Sequence, residues 1–220
     1  MSFDCLTRRQ FMRSATAALA VGCASPTESG FEPLFDGKSL TGWEGDPSLW
    51  LVEDGMLIGR SPGISYNDFL ATENAYGDFV LRLQIQLVDN IGNGGIQFRS
   101  ERVDGDTEVI GYQADVGPEY WGSLYDESRR RVTLAAPDEE TLRRALKPTD
   151  WNDYEIRAEG QRIVLKLNGV TTVDYTETDP SIPLTGRIAV QIHSGPAMET
   201  RYRNIRIREL RSVPAAPVTY

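Results

Sequence analysis

A regular alternation of apolar and polar residues is the feature that most constrains how this chain can fold. In Phe79–Leu87 every odd-numbered position is apolar, and most even-numbered positions are polar. Side chains of an extended strand point to opposite faces in turn, so this pattern predicts a strand with one buried face. Similar short segments recur along the chain, separated by turn sequences such as Asp54-Gly55 and Asn168-Gly169.

Only one stretch has the pattern of a helix. Residues 137–146 begin with acidic and end with basic residues, as the helix dipole favours, but they lack a long apolar stripe. We therefore expect a short helix on the surface. Many short strands with turns between them predict an all-β fold, a β-sandwich or jelly roll that forms a single domain.

The first 23 residues have the pattern of an export signal. Arg8-Arg9 precede a short, weakly apolar run, which is typical of bacterial twin-arginine signals. The segment 20–23 (AVGC) resembles a bacterial lipobox, so Cys23 is the predicted site of lipidation. Ala24 stands where retention in the inner membrane usually needs Asp, which favours an outer-membrane lipoprotein facing the periplasm. Cleavage nearby and release into the periplasm is the alternative.

Composition limits the domain organisation and the partners. We expect a polar tether at 24–30, the folded domain at 31–211 and a loose tail at 212–220. The second cysteine, Cys5, lies in the signal segment, so the processed chain would hold no disulfide. The net charge is −9 and no block of Lys and Arg follows the signal, which argues against nucleic acid as a partner. No later apolar run is long enough to span a bilayer, so membrane attachment is expected only through the lipid anchor.

A series of short motifs covers nearly the whole predicted domain. The first is the segment 34–43 (LFDGKSLTGW). The later ones are Trp50, Asp54-Gly55, residues 92–99 (GNGGIQFR), Trp151-Asn152, Leu167-Asn168-Gly169, residues 186–193 (GRIAVQIH) and Arg203-Asn204-Ile205. In this order they resemble the bacterial 3-keto-disaccharide hydrolase family over roughly residues 31–210. The resemblance implies a concanavalin A-like jelly-roll β-sandwich.

The middle strand departs from that family's pattern. Family members often read Gly-Tyr-Glu-x-Gln, whereas residues 111–115 read GYQAD. The carboxylate, Asp115, therefore stands two positions further along the same strand face.

The residues favour one kind of sugar chemistry over another. A retaining glycosidase needs two carboxylates about 5–5.5 Å apart. Jelly-roll glucanases carry Glu-x-Asp-x-Glu on one strand, and no such run occurs here, although a distant loop can supply a second acid. The resemblance implies another reaction, in which a base removes the C2 proton of a 3-keto-glycoside, the enolate expels the glycosidic oxygen, and water adds to the enone. That reaction needs a base, donors for the enolate oxygen and an acid for the leaving group.

Three residues are the predicted catalytic groups. His193, the only histidine, can serve as the base because imidazole titrates near neutral pH; a structural histidine at a strand end is the alternative. Asp115 is predicted to be a catalytic residue without an assigned role, and the guanidinium of Arg99 is predicted to stabilise the enolate or keto oxygen. Alternation places Gln97 beside Arg99 and Gln113 beside Asp115, as a polar floor for a sugar or a divalent cation. A solvated sheet face is the alternative.

Other side chains are predicted to bind the substrate. Aromatic rings in a glycine-containing loop can stack on the apolar face of a pyranose, unless they only clamp the loop. These rings are Tyr120, Trp121 and Tyr125. Gln191 shares the strand face of His193, and Glu127, with Asp126, is an acid or an oxygen ligand for Ca²⁺ or Mg²⁺, or a plain loop residue. The sequence assigns no ligand set for these cations or for Mn²⁺.

Two functions fit these observations. The first is an extracytoplasmic enzyme that cleaves 3-keto-glycosides or 3-keto-disaccharides, with a small carbohydrate as its substrate. The alternative is a non-catalytic, lectin-like module that binds carbohydrate. An adhesion or scaffold role has less support because the polar strand positions are clustered.

Overall fold

The computed structural model describes residues 29–210. The predicted twin-arginine signal, the lipidation site Cys23 and the tail at 212–220 lie outside the described residues.

Within that range the chain forms fifteen strands, one α-helix and one 3-10 helix at Val88–Asn90. The strands are β1 (Glu32–Pro33), β2 (Trp43–Glu44), β3 (Trp50–Glu53), β4 (Met56–Ser61), β5 (Asp68–Tyr76), β6 (Phe79–Leu87), β7 (Gly94–Arg102), β8 (Val109–Val116), β9 (Leu124–Glu127), β10 (Val132–Ala135), β11 (Asn152–Glu159), β12 (Arg162–Leu167), β13 (Val170–Thr176), β14 (Gly186–Ile192) and β15 (Met198–Glu209). The helix α1 spans Glu139–Ala145. None of the described helices is long and apolar enough to cross a membrane.

The strands pair antiparallel in two sheets that face each other. The first sheet has the order β13-β12-β11-β6-β15-β4-β3, and β1 pairs with β15. The second has the order β10-β9-β8-β7-β14-β5-β2. Several neighbouring strands are distant in sequence, such as β6 and β15 or β7 and β14, as in a jelly roll. The predicted all-β, jelly-roll sandwich is confirmed.

The core lies between the two sheets. In β6 the odd-numbered side chains are buried, as the alternation predicts, because they face the second sheet. Phe98 of β7 stacks on Tyr112 of β8 with ring centroids 5.6 Å apart. Phe98 also contacts Phe79 of β6 edge to face, with centroids 6.4 Å apart, and so joins the two sheets. Burying a large aromatic side chain contributes about 1.5–3 kcal/mol.

The predicted surface helix is also confirmed. The Asp138 side chain accepts a 2.7 Å hydrogen bond from the Thr141 amide and so caps α1 at its start. Acidic residues occupy the first turn and Arg143 and Arg144 the last, and Ala145 is the buried residue of the helix.

A β-bulge in β7 changes which side chains face outward. Arg99 and Ser100 together oppose Gly111 of β8, because the register shifts between Phe98 and Glu101. Arg99 has a positive φ of 48°, which is uncommon for a residue with a Cβ atom. A Cβ atom on Gly111 would lie 2.2 Å from the Ser100 hydroxyl oxygen, so the bulge requires glycine there. Strand alternation therefore ends at this point in β7.

The outer face of the second sheet carries the polar residues. Ile96 and Ala114 belong to the core between the sheets. Their strand neighbours Gln97, Gln113 and Asp115 therefore point away from the core, although each is almost fully buried. Polar groups buried on the outer side of a sheet indicate a covered cavity rather than a solvated face.

Candidate functional site

A cavity of about 230 Å³ opens on the outer face of the second sheet. Its lining residues are Asn93, Gln113, Asp115, Tyr120, Tyr125, Glu127, Thr133 and His193. They come from β8, β9 and β10, from the loop between β8 and β9, and from the residues just before β7 and just after β14. The structure therefore brings together six predicted site residues from three separate parts of the sequence.

Glycine at position 95 forms the depression in the sheet. In the strand register, Gly95 of β7 lies between Asp115 of β8 and Gln191 of β14. The side chain of Gln113 lies directly over it, since a Cβ atom on Gly95 would be 2.6 Å from the Gln113 amide carbon. The missing side chain gives Gln113 room to lie flat beside Asp115.

Asp115 is the acid at the base of the cavity. Its carboxylate accepts a 2.7 Å hydrogen bond from the side-chain amide of Gln113, and only 5 % of the residue is exposed. Burial raises the pKa of Asp115 to about 7, with a further contribution from the charge of Glu127 and a partly opposing one from the Gln113 hydrogen bond. A carboxyl group with this pKa can give or take a proton near neutral pH.

Glu127 supplies the second carboxylate. Its backbone pairs with Gly111, which places its side chain on the same sheet face as Gln113 and Asp115. Burial raises its pKa, the charge of Glu108 acts in the same direction, and that of His193 opposes it. The second acid, which the pattern on β8 lacks, thus comes from the neighbouring strand.

His193 lies at the rim of the cavity, just after β14 ends. Its Nδ1 atom is 2.7 Å from the main-chain oxygen of Ser194, which can only accept a hydrogen bond. The Nδ1 atom therefore carries the proton, and Nε2 of the neutral ring keeps its lone pair. That tautomer suits a base.

Two tyrosines supply the aromatic lining. Tyr120 is 42 % exposed at the mouth, where a ring can meet a ligand face. Tyr125 pairs with Gln113 across β8 and β9 and is half-buried. Burial raises the pKa of Tyr125, and the carboxylates of Glu127 and Asp115 raise it further, so its hydroxyl remains a hydrogen-bond donor.

Gln97 and Gln191 lie beneath the cavity rather than on its surface. Gln97 donates a 2.8 Å hydrogen bond to the Gln113 side-chain oxygen. The Gln191 amide nitrogen is 3.5 Å from a carboxylate oxygen of Glu127. Their predicted sharing of one face with the site is therefore observed, but each reaches the cavity through a neighbouring side chain.

Arg99 requires a correction. The bulge turns its side chain away from Gln97, and the guanidinium donates to the main-chain oxygens of Gly77 and Gly160 and to Asp78. Only 1 % of this side chain is exposed, and it does not line the cavity. Arg99 ties the bulge to two distant loops, so it cannot reach an enolate oxygen in this cavity.

Trp121 and Asp126 also lie elsewhere. Trp121 is 1 % exposed within the hydrophobic core, and its indole nitrogen donates a 2.9 Å hydrogen bond to Asn90. It clamps its loop onto the sandwich and presents no ring to a ligand. Asp126 points to the opposite side of β9 from Glu127, where it pairs with Arg129 and Arg130.

Two lining residues have no role in the sequence-based prediction. Asn93 and Thr133 enter the cavity from a turn and from β10. The side-chain oxygens of Asn93 and Gln191 are buried without a hydrogen-bond partner. Buried acceptors without donors are rare, so the Asn93 oxygen, which belongs to a cavity-lining residue, suits the hydroxyl group of a ligand. The Gly-Asn-Gly-Gly sequence at 92–95 signals a turn, but not which way the Asn93 side chain points.

In residues 29–210 no group of three or more His, Cys, Asp and Glu side chains could hold a metal ion. A divalent cation at this site therefore stays a prediction.

A larger cavity, of about 330 Å³, lies on the outer face of the first sheet. Three of its charged side chains pair with each other: Glu155 is 2.6 Å from Arg82 and 3.0 Å from Lys166. Opposite charges that neutralise each other leave little to bind a ligand, and we therefore assign the functional site to the cavity that holds Asp115.

Fold and site together define a jelly-roll protein with a carboxylate-lined cavity on one sheet. The chain belongs to the family of 3-keto-alpha-glucoside-1,2-lyase-like domains, whose profile matches residues 30–208. No curated protein gives a significant match.

Several solved structures share this fold, and three of them serve as examples. A candidate glycosyl hydrolase from Parabacteroides distasonis ATCC 8503 is 18 % identical with a TM-score of 0.64, over 83 % of this chain and 94 % of that one. The carbohydrate binding module CBM66 from Bacillus subtilis is 20 % identical with a TM-score of 0.60, over 76 % and 96 %. A Bacillus licheniformis beta-glucanase is 13 % identical with a TM-score of 0.56, over 82 % and 97 %. At these identities the likeness shows the fold alone.

Proposed function

We propose that this protein cleaves 3-keto-glycosides by elimination followed by hydration. One observation carries the proposal: a single cavity holds two buried carboxylates and the histidine, in a chain whose family is described as 3-keto-alpha-glucoside-1,2-lyase-like. The cavity is large enough for one pyranose ring, which is the part of the substrate that reacts.

The reaction begins at the proton on C2 of the sugar. The ketone at C3 acidifies this proton, and Nε2 of His193 takes it, so that its electron pair forms the enolate. The enolate re-forms the ketone while the C1–O bond breaks, which leaves an enone between C1 and C3. Asp115, which holds a proton near neutral pH, gives it to the leaving oxygen. Water then adds its oxygen to C1 and gives a proton to Asp115, while His193, after its proton has exchanged with solvent, protonates C2. Both groups return to their starting states, and the products are a free 3-keto-sugar and an alcohol.

The enolate oxygen needs a donor other than Arg99. The Tyr125 hydroxyl and the Asn93 amide line the cavity and can serve. Hydrogen bonds aimed at a developing oxyanion are worth more inside a buried cavity than in water.

The charge of the cavity selects the class of sugar. None of its eight lining residues is Lys or Arg, whereas two are carboxylic acids. An anionic sugar would meet repulsion without a balancing cation. We therefore infer that the substrate is a neutral glycoside rather than a uronide or a sugar phosphate.

Isotope exchange tests this function directly. Purified protein is mixed with a 3-keto-glucoside in D₂O and followed by proton NMR. We expect release of the alcohol and a product that carries deuterium at C2, while the parent glucoside without the ketone stays intact. Cleavage of the parent glucoside, or a product that keeps its C2 proton, would overturn the elimination mechanism.

A carbohydrate-binding module without catalysis is the second candidate. The exposed Tyr120 ring and the unpartnered side-chain oxygen of Asn93 favour it, because they can bind a sugar without reacting. Calorimetry with simple glycosides separates the two functions. Binding of ordinary glycosides with no turnover of any 3-keto-glycoside, with or without Ca²⁺, Mg²⁺ or Mn²⁺, supports the module.

We further propose that the protein works outside the cytoplasm, exported by the twin-arginine route and held by lipid at Cys23 in the outer membrane. The support is the Arg8-Arg9 pair and the lipobox-like segment 20–23. Expression in a bacterium fed labelled palmitate tests this, and we expect label on the wild-type protein but not on Cys23→Ser. The control for export is the double variant Arg8→Lys with Arg9→Lys, which should stay in the cytoplasm. If the wild-type protein is exported but carries no label, the protein is released into the periplasm rather than anchored by lipid.

A further inference from the structure

A chain of three side-chain hydrogen bonds runs beneath the cavity to Asp115. The Ser100 hydroxyl is 2.8 Å from the side-chain oxygen of Gln97. Gln97 donates over 2.8 Å to the side-chain oxygen of Gln113, and Gln113 donates over 2.7 Å to Asp115. All four residues are at most 5 % exposed.

The direction of this chain follows from the carboxylate at its end. An ionised Asp115 can only accept, so the amide nitrogen of Gln113 must face it. The Gln113 oxygen then needs a donor, which fixes the amide of Gln97 in the same sense. The Gln97 oxygen in turn accepts from the Ser100 hydroxyl, whose other acceptor within reach is the Phe98 main-chain oxygen at 3.0 Å.

The β-bulge makes this chain possible. Ser100 is on the face of Gln97 only because Arg99 and Ser100 together oppose Gly111. Without the bulge, alternation would place Arg99 beside Gln97. The Ser100 hydroxyl therefore takes the position beside Gln97 that the Arg99 guanidinium would otherwise occupy. The side-chain amide of Gln97 then has a neutral hydrogen-bond donor as its neighbour.

We propose that Gln97 and Ser100, neither of which lines the cavity, are positioning residues that hold the Gln113 amide with its NH₂ group toward Asp115. Losing either one frees that amide to rotate or to shift. The ionised form of Asp115 then loses the Gln113 amide as a hydrogen-bond donor held in a fixed position. The carboxyl group ionises less readily and turns more freely within the cavity.

Other charged and titratable groups act on the same carboxyl and must be held constant. These are Tyr120, Tyr125, Glu127 and His193 around the cavity and Tyr154, whose hydroxyl is 3.4 Å from the Asp115 main-chain oxygen. Neither Gln97→Met nor Ser100→Ala alters any of them, so a change in Asp115 would come from the chain of amides.

Direct titration of Asp115 by carbon-13 NMR tests the structural part. The resonance is assigned by its loss in Asp115→Asn, and Gln97→Met and Ser100→Ala are compared with wild type. We expect the titration midpoint to rise by about 0.5–1 pH unit, as loss of a hydrogen bond worth about 1 kcal/mol implies. The matched control is Thr72→Val. It removes a buried hydroxyl on β5 that takes no part in the hydrogen bonds from Ser100 to Asp115.

The outcomes are distinct. An unchanged midpoint in folded Gln97→Met, or an equal rise in Thr72→Val, would overturn the positioning role. Ser100→Ala removes one hydroxyl only, so it keeps the test valid if Gln97→Met fails to fold.

The kinetic part of the inference rests on the proposed function. With a 3-keto-glucoside, kcat should fall while KM changes little, and the pH profile should move in the same direction as the Asp115 midpoint. If the midpoint moves but even wild type shows no turnover, the proposed function fails while the positioning role stands.

Discussion

The imidazole Nδ1 atom of His193 lies 2.7 Å from the main-chain oxygen of Ser194. Because that oxygen only accepts, the neutral ring is held as the tautomer whose Nε2 atom is free to take a proton. The same contact orients the ring at the rim of the cavity. This main-chain contact therefore leaves Nε2 in the state that the proposed base needs.

Replacing His193 tests this role. We expect His193→Ala to lower kcat for a 3-keto-glucoside by about 10²–10⁴-fold, which is the usual contribution of a general base. Added imidazole should restore part of the rate. The melting temperature should change little, because the ring is half-buried and bonds only to its neighbour Ser194. If His193→Ala keeps the wild-type kcat, His193 is not the base and has only a structural role.

Asp115 makes stability depend on pH. Its pKa in the folded protein is about 7, whereas an unfolded Asp carboxyl titrates near about 3.9. The folded state binds the proton more tightly, so this stabilisation is complete at low pH and is lost as the pH rises from about 4 through about 7.

Asn cannot ionise, and Asp115→Asn should therefore escape that loss. We expect its melting temperature, relative to wild type, to rise by several degrees between about pH 5 and about pH 8. Scanning calorimetry of both proteins measures this. A constant difference across that range would show that the carboxyl group of the folded protein titrates normally.

Arg99 should matter for stability and not for turnover. Its guanidinium holds two main-chain oxygens and Asp78 with 1 % of the side chain exposed. We expect Arg99→Met to lower the free energy of unfolding by about 2–4 kcal/mol, with kcat/KM unchanged in the folded fraction. The matched control is Arg162→Met, which breaks an exposed ion pair with Asp174 and should cost less than about 1 kcal/mol. A selective loss of kcat in Arg99→Met would reinstate its predicted catalytic role.

The adjacent Tyr120 and Trp121 should separate binding from folding. Tyr120→Ala is expected to weaken sugar binding by about 1 kcal/mol, roughly fivefold, with little change in melting temperature. Trp121→Ala should instead destabilise the fold by about 3–5 kcal/mol, since it removes a buried core ring. Calorimetry and denaturant unfolding measure the two effects. If Tyr120→Ala leaves affinity unchanged, the ring does not contact the sugar.

The sequence predicts the fold well because burial is local and periodic. The β6 strand buries its odd-numbered side chains as its alternation indicates, and α1 lies within the predicted helical stretch. Gln113 and Asp115 share a face because they are two residues apart on one regular strand. These relations need only the geometry of a single strand or helix.

Alternation failed at Arg99, where the strand is irregular. The bulge depends on Gly111 of the neighbouring strand, and no pattern within β7 reveals that partner. Trp121 was misplaced for a related reason. Two adjacent aromatic residues, Tyr120 and Trp121, look equivalent in the sequence, and only packing decides which one enters the core.

By itself, then, the sequence determined an all-β sandwich, the family, and the strand that carries Gln113 and Asp115. The tertiary structure alone decided that Glu127 and His193 join Asp115 in one cavity and that Ser100 replaces Arg99 beneath it. The physical reason is the range of each interaction. Strand periodicity acts over a few residues, whereas the cavity is built by register between strands that are far apart in the chain.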